Sequence, residues 1–428
     1  MRRAVASLAV AGLVGLAACT GGSGRSSATS TTAPSTTLKP PRGNVDGQLK
    51  LGVLLPVTGP GAAIGSSMSK AIDMAVAEIN GAGGVLGMPV AVATGDEGSD
   101  AATAAAALRK LLDDEQVDAV IGPLSSRIAL AVADTVTGAR AVMCSPGASA
   151  TSMSLYPGNG YLVRTMPSDA LQAIALGQAI SRTGLRSTAV IAPDDDYGRT
   201  SAANLRQELI RQENTVTSVT NYDPSASDFT AVVAAAQRGN PEAIAVIGRP
   251  EPGGKIIADL LAFGLKPPST ALFVSDGMRS RSLFDIVQPG HPESVAGIQG
   301  TSPAVQPTAG SWFTSAFESF APGVANLYGA YAYDCANLIA LASQEAGTDD
   351  ARTFKDRIAP STRSGVACQN FPDCQRLLID GRRIDLNGAT GPMELLDNGD
   401  RRTGWFDVFQ FGPDGKDETV RQVEAVLP

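Results

Sequence analysis

Lys50-Leu51-Gly52-Val53-Leu54-Leu55-Pro56 is the stretch on which the fold class turns. A short apolar run without polar alternation, closed by proline, reads as a strand buried on both faces. Met68, Ile72, Val76 and Ile79 follow at 4-4-3 spacing, which places them on one side of a helix. Val90-Ala91-Val92-Ala93 is a second strand, and an Ala-rich helix carries Leu108, Leu111 and Leu112. Strand 117–121, helix 128–135 and strand 139–144 continue the pattern. Such βα units imply a mainly parallel sheet covered on both faces. The rhythm then restarts with helix 168–183, strand 188–191, helix 199–212, strand 215–220, helix 228–238, strand 243–247, helix 254–263 and strand 271–274. Two arrays in series predict an α/β protein of two doubly wound lobes. Open sheets of this kind bind ligands beyond the carboxyl ends of their strands, so the cleft between the lobes is the expected site.

Composition narrows the function. The 428 residues carry 34 Lys+Arg against 42 Asp+Glu, a net charge of -8, with no long basic run. Nucleic acid is therefore not an expected partner, because phosphate binding needs clustered cations. One histidine leaves little room for a His-based triad or a His-rich metal site. The chain opens with Arg2 and Arg3, and Ala4 to Ala18 then run without a charge. This is the order of a secretory leader (1–18), and it is short of the roughly 20 residues that span a bilayer as a helix. It ends in Leu16-Ala17-Ala18-Cys19, which resembles the lipobox of bacterial lipoproteins and implies a lipidated Cys19. Residues 19–47 are rich in Gly, Ser, Thr and Pro, a composition that predicts a disordered tether. The expected location is the outer face of the membrane, held by lipid alone.

Catalytic and cofactor motifs fail one at a time. Gly248 to Lys255 has the look of a phosphate loop, but it is one residue too long, two prolines interrupt it, and Ile256 replaces the Ser/Thr that would reach Mg²⁺. No G-x-S-x-G or H-E-x-x-H is present. Cys144 would need a base, and His291 sits in a Pro-Gly-His-Pro loop. Asp194-Asp195-Asp196 lacks the late Glu of an EF-hand loop. The expectation is a binding protein without cofactor or metal. Cys368 and Cys374 flank a turn-prone loop and are expected to form a local disulfide; Cys144 and Cys335 are either the remaining pair or free thiols.

The loops after the strands resemble those of a known family. The opening Gly52 to Pro60, Gly83-Gly84-Val85-Leu86-Gly87, Ile121-Gly122-Pro123-Leu124-Ser125-Ser126 and Ser145-Pro146-Gly147-Ala148-Ser149-Ala150-Thr151 are similar to type I periplasmic binding proteins, in particular the branched-chain amino-acid binders of ABC importers. Asp194 to Gly198, Tyr222-Asp223-Pro224, Asp228-Phe229, Gly391-Pro392-Met393 and Trp405-Phe406-Asp407-Val408 continue in the same order. The resemblance covers about residues 48–415. It implies a three-crossing hinge, a first lobe of 48–165 plus 301–390 and a second of 166–300 plus 391–428. It also implies a small polar ligand, an amino acid delivered to an ABC permease. Ser126 and Ser149 match the family's hydroxyl positions, and Gly147 a backbone contact. Tyr197 matches its aromatic wall and Asp276 its acidic partner for the ammonium.

Each of these residues also has a plainer role open to it. The serines could be helix N-caps, Tyr197 a turn anchor, Asp276 part of an Asp-Gly turn, and Arg249 a solvated strand end. Three positions depart from the family: Ile64 replaces an aromatic, Arg249 stands where a tyrosine is expected, and Asp276 is a methylene shorter than the usual Glu. Arg249 would suit a ligand with a second acidic group. Other outcomes of the same fold are a sensor feeding a signalling partner, or a scaffold whose cleft has lost its ligand.

Overall fold

The computed structural model describes residues 45–428. The leader 1–18, Cys19 and most of the 19–47 tether lie outside the described residues. The chain begins with β1 (Lys50–Leu55), α1 (Ala62–Gly81), β2 (Ala91–Asp96), α2 (Ala101–Arg109), β3 (Ala119–Ile121), α3 (Ser126–Gly138), β4 (Val142–Ser145), α4 (Thr151–Ser154) and β5 (Leu162–Arg164). These strands form a parallel sheet in the order β2-β1-β3-β4-β5. Met68, Ile72 and Ile79 of α1 are buried against it, as their spacing requires, and Val76 is partly buried beside them.

The second array follows: α5 (Asp169–Ser181), β6 (Ser187–Pro193), α6 (Asp196–Arg211), β7 (Thr215–Tyr222), α7 (Thr230–Gln237), β8 (Ala243–Val246), α8 (Pro250–Ala262), β9 (Ala271–Val274), α9 (Leu283–Val287) and β10 (Gln299–Ala304). The chain then returns to the first lobe through α10 (Pro307–Phe320), α11 (Gly329–Ala346), α12 (Ala351–Ile358), β11 (Val366–Cys368), α13 (Phe371–Ile379), β12 (Ile384–Gly388) and β13 (Gly391–Pro392). It finishes in β14 (Thr403–Phe411) and β15 (Asp417–Val426). The second sheet runs β15-β14-β10-β9-β8-β6-β7. Read from β7, its parallel part repeats the winding of the first sheet, and β14 and β15 add to it antiparallel. β11, β12 and β13 make a small third sheet.

Two expected lobe boundaries shift. β10 stays in the second sheet to Ala304, so that lobe's strand does not end at 300. Met393 and Leu395 pack into the first lobe's core, so the last return to the second sheet begins at β14 rather than at 391. α11 is buried on nearly every side, between the first sheet and α1, α12 and α13. A helix buried all round has no single apolar stripe to reveal it in sequence.

Three chain crossings join the lobes, and buried arginines tie them together. Arg164 Nε donates to Asp400 Oδ1 at 2.8 Å, and the Arg164 amide donates to Gly399 O at 3.0 Å. Arg401 donates to Thr165 O at 3.0 Å, Thr390 Oγ1 at 2.8 Å, Pro392 O at 2.7 Å and Thr403 O at 3.1 Å. The Gln306 amide donates to Thr390 O, which brings in the remaining crossing. Asp334 accepts from Ala389 N, Thr390 N and Thr390 Oγ1 beneath this knot, and burial pushes its carboxyl up to about 6.

Both cysteine pairs are disulfides: Cys368 with Cys374, and Cys144 with Cys335, which excludes free thiols at the latter two. The second of these clamps the end of β4 to α11 across 191 residues, against a separation of 6 for the first. Cross-linking stabilises mainly by restricting the unfolded chain, with a logarithmic dependence on loop length. Replacing Cys144 and Cys335 together by Ala is expected to cost about 5 kcal/mol, and the same change at Cys368 and Cys374 about 2 kcal/mol. Urea unfolding of the two double variants checks the difference; equal losses would contradict it.

Candidate functional site

The loops at the carboxyl ends of the first sheet are held by two adjacent acids after β2. Asp96 accepts from Val57 N at 2.8 Å, from Thr58 Oγ1 at 2.6 Å and from Gly98 N at 2.8 Å, bonds that draw its carboxyl down to about 2. Glu97, buried, accepts from Leu124 N at 2.7 Å and Ser125 N at 2.9 Å. It thereby fixes the turn that delivers Ser126. Gly122 in that turn has φ of +117°, and a Cβ there would meet Leu54 O at 1.9 Å, so no other residue fits.

Ser126 is the first residue of α3, and Ser125 occupies the N-cap position without a side-chain cap bond. Ser126 Oγ instead accepts from Ser149 N at 3.1 Å and Ala150 N at 3.2 Å. A hydroxyl has two acceptor sites and one proton, so Ser126 is left as a donor. Ser149 is not a cap either, since Ala150 precedes α4. Its carbonyl accepts from Asp169 N at 2.8 Å, and its hydroxyl works to lower the Asp169 carboxyl against the rise that burial causes. A Cβ on Gly147 would strike Leu124 Cδ1 at 2.4 Å and stand 2.9 Å from Leu124 O, so the two loops pack closely here.

The second lobe supplies the opposite wall. Tyr197, in the first turn of α6, donates its hydroxyl to Ser275 Oγ at 3.3 Å. Asp276 follows β9 and is pushed up to about 6, first by burial and then by the negative charge of Asp169. Burial likewise raises Asp169, and neighbouring Asp276 and Asp169 help hold the Tyr197 phenol protonated. Asp169 Oδ2 is buried with no hydrogen-bond partner among the described residues. Arg249 sits at the N-cap of α8, exposed, and its charge reaches Asp276, Tyr197 and Tyr222 weakly. Across from them, Tyr328 of the first lobe is raised to about 12 by burial and by Asp276. Asn204 Nδ2 donates to Thr151 Oγ1 at 3.1 Å, a direct bond between the lobes.

The structure thus gathers Ser126, Gly147, Ser149, Tyr197 and Asp276 around one cleft, with Arg249 at its edge. It adds Asp169, Tyr328 and Glu97. Asp169 follows Ser168, the N-cap of α5, and so reads in sequence as an ordinary helix-start acid. Tyr328 has φ of +58°, which a string of letters does not announce. Ile64 packs against the first lobe's core. His291 is exposed and paired with Glu293 at 2.9 Å, Asp194 and Asp196 pair with Arg199, and Lys255 pairs with Glu251. Among the described residues no cluster of His, Cys, Asp and Glu is arranged to hold a metal.

The comparisons agree with this architecture. The periplasmic binding protein family profile matches residues 48–362. The chain is 25% identical to the chemotactic signal transduction system substrate-binding protein BasB of Halobacterium salinarum, covering 81% of this chain and 83% of that one. It is 27% identical to Leu/Ile/Val-binding protein homolog 1 of Brucella abortus, covering 72% and 82%. Among solved structures, the leucine binding protein LivK of Thermotoga maritima superposes with a TM-score of 0.68 at 22% identity, covering 88% of this chain and 98% of that one. A solute binding protein of an R. palustris ABC transporter, in complex with 4-hydroxybenzoate, gives 0.68 at 18% identity over 89% and 98%. No helix among the described residues is long and apolar enough to cross a membrane. The chain belongs to the periplasmic binding protein family, with the fold of its Leu/Ile/Val-binding relatives, and is an extracytoplasmic solute-binding protein rather than an enzyme.

Proposed function

We propose that the cleft captures an α-amino acid and that the protein delivers it to an ABC permease from an acyl anchor at Cys19. The observation that carries this reading is the pair Asp169 and Asp276, one buried and one half-buried, in which the charge of Asp169 raises Asp276 and an Asp169 oxygen lacks any partner among the described residues. Such a pair calls for a cation, and a ligand ammonium between them satisfies both. At the other end, the donor-only hydroxyl of Ser126 and the backbone around Gly147 suit a carboxylate. Tyr197 and Tyr328 would flank the ligand from the two lobes, and Arg249 would meet a side chain bearing a second acid.

Related structures hold different ligands: isoleucine in LivJ of Streptococcus pneumoniae, benzoate-type acids in R. palustris proteins. The acidic pair favours the first kind here, because an aromatic acid without an ammonium would leave like charges facing each other. The name of the Halobacterium relative supports a second reading, in which the same clamp reports to a signalling partner. The two readings share the ligand chemistry and differ in the partner.

A thermal-shift screen of the proteinogenic amino acids beside benzoate and 4-hydroxybenzoate is expected to show stabilisation by one class of amino acid and by neither benzoate. Ser126→Ala and Asp276→Asn should each weaken binding by about 10- to 100-fold, the loss of one charge-assisted bond. Stabilisation by benzoates alone would contradict the reading.

The pH dependence has a definite sign. With Asp276 titrating near 6 in the free protein, an ammonium binds its ionised form, so binding expels a proton below that pH. Affinity should rise about tenfold from pH 5 to pH 7 and flatten above. In the free protein the raised pKa works the other way, and stability from this group is lost as pH climbs from the ordinary Asp value towards 6. Calorimetry across the range checks the slope; affinity that falls with rising pH would be inconsistent with a cationic ligand group.

A further inference from the structure

The second lobe carries another polar depression, beside the amino ends of its strands and so at the opposite end of the sheet from the cleft. It encloses about 460 Å³ and is lined by Gln178, Ser181 and Arg182 at the end of α5, by Arg186, by Gln212 just after α6, and by Glu424 of the edge strand β15. Ser181 Oγ in its lining is buried without a partner among the described residues, and so are Nε and Nη2 of Arg421, which lies outside the lining but within reach of the Arg182 charge. Arg421 pairs across the strands with buried Val408, which puts it on the side of β15 that α5 covers. Burial, and then the like charge of Arg182, make it a weaker base.

Local acceptors do not meet this demand. The last carbonyls of α5 already accept from Arg182 N, Thr183 N and Gly184 N. Those of α6 accept from Gln212 N, Glu213 N and Asn214 N. Glu208 is paired with Arg211 at 2.7 Å and accepts from Gln212 Nε2 at 2.9 Å. Two guanidinium groups in the lining, Arg182 and Arg186, therefore share it with one carboxylate, Glu424, and a third, Arg421, stands close enough to Arg182 to feel its charge. Buried N–H groups left unpaired are costly, and a guanidinium presents them as a planar fork that matches the oxygens of a phosphate.

We propose that this depression is an anion site that takes a phosphate group, with Arg182 and Arg186 as its cationic walls, Arg421 as a further cation beside them and Ser181 as a neutral donor. The same chemistry is offered by a soluble phosphate and by a phospholipid headgroup. Thermal unfolding of the purified protein in chloride and in inorganic phosphate at matched ionic strength tests it. A saturable rise in Tm is expected in the wild type, reduced by Arg182→Gln or Arg421→Gln and abolished when both are changed. If Arg421→Gln does not fold, Arg182→Gln with Arg186→Gln, both at exposed positions, replaces that pair. Sedimentation with phosphatidylcholine vesicles, with and without phosphatidylglycerol, separates the sources. Binding to the anionic vesicles that the double variant loses assigns a headgroup; a phosphate response without vesicle binding assigns a soluble ligand. A phosphate response unchanged in the double variant, or no response to either probe, overturns the proposal.

Discussion

The Arg401 guanidinium, buried where the chain crosses between the lobes, is the interaction on which the rest depends. It reaches Thr165 O on the first crossing and Thr390 Oγ1, Pro392 O and Thr403 O around the third, while Gln306 N joins the second through Thr390 O. Every direct acceptor of Arg401 is uncharged; the nearest counter-charge, Asp334, acts through the shared Thr390 hydroxyl. A cation held this way pays heavily in lost hydration, and burial lowers its basicity accordingly. Removing one acceptor, such as the Thr390 hydroxyl, leaves an N–H of a buried cation unpaired, typically a loss of about 1.5–3 kcal/mol. The crossings are thus fixed to one another at the hinge end, and the proposed freedom of the lobes is a rotation about that end.

The cleft lies on the other side of that pivot, and its electrostatics fit a half-built site. The first lobe offers a hydroxyl whose acceptor sites are already filled and a loop held by Glu97. The second offers Tyr197 and Asp276, with Asp169 at the crossing between them. Without a ligand, burial raises both carboxyls and the charge of Asp169 raises Asp276 further. In the proposed complex one zwitterion would satisfy both ends at once, and only the difference in its affinity for the closed and open arrangements would drive closure. A ligand that lacks either end would bind one lobe and leave the equilibrium near where it stood.

Much of the fold was legible because local patterns agree with it. The β1 run and the Met68–Ile79 stripe each have one physical solution, and repetition of the βα rhythm disclosed the second lobe. Ser126, Ser149, Tyr197 and Asp276 were singled out by the resemblance of their loops to the family, and the strand pattern alone left them as caps and turns. What stayed hidden depends on contacts far apart in sequence or on backbone conformation. α11 shows no stripe because it is buried all round. β10 carries Pro303 and lacks a run of apolar residues, yet it closes the parallel sheet. The Cys144–Cys335 bond needs both lobe-one segments in place before the partners meet. Asp169 becomes distinctive only when Asp276 is seen beside it.

The central claim is that one ligand, bridging Asp169 and Asp276 to the Ser126 loop, closes the lobes about the Arg401 hinge. Small-angle X-ray scattering of the protein with and without a saturating stabilising amino acid measures this directly. The account predicts a smaller radius of gyration with ligand in the wild type and none of that change in Asp276→Asn at the same concentration. An unchanged radius in wild type at demonstrated saturation, or equal compaction in Asp276→Asn, would contradict it.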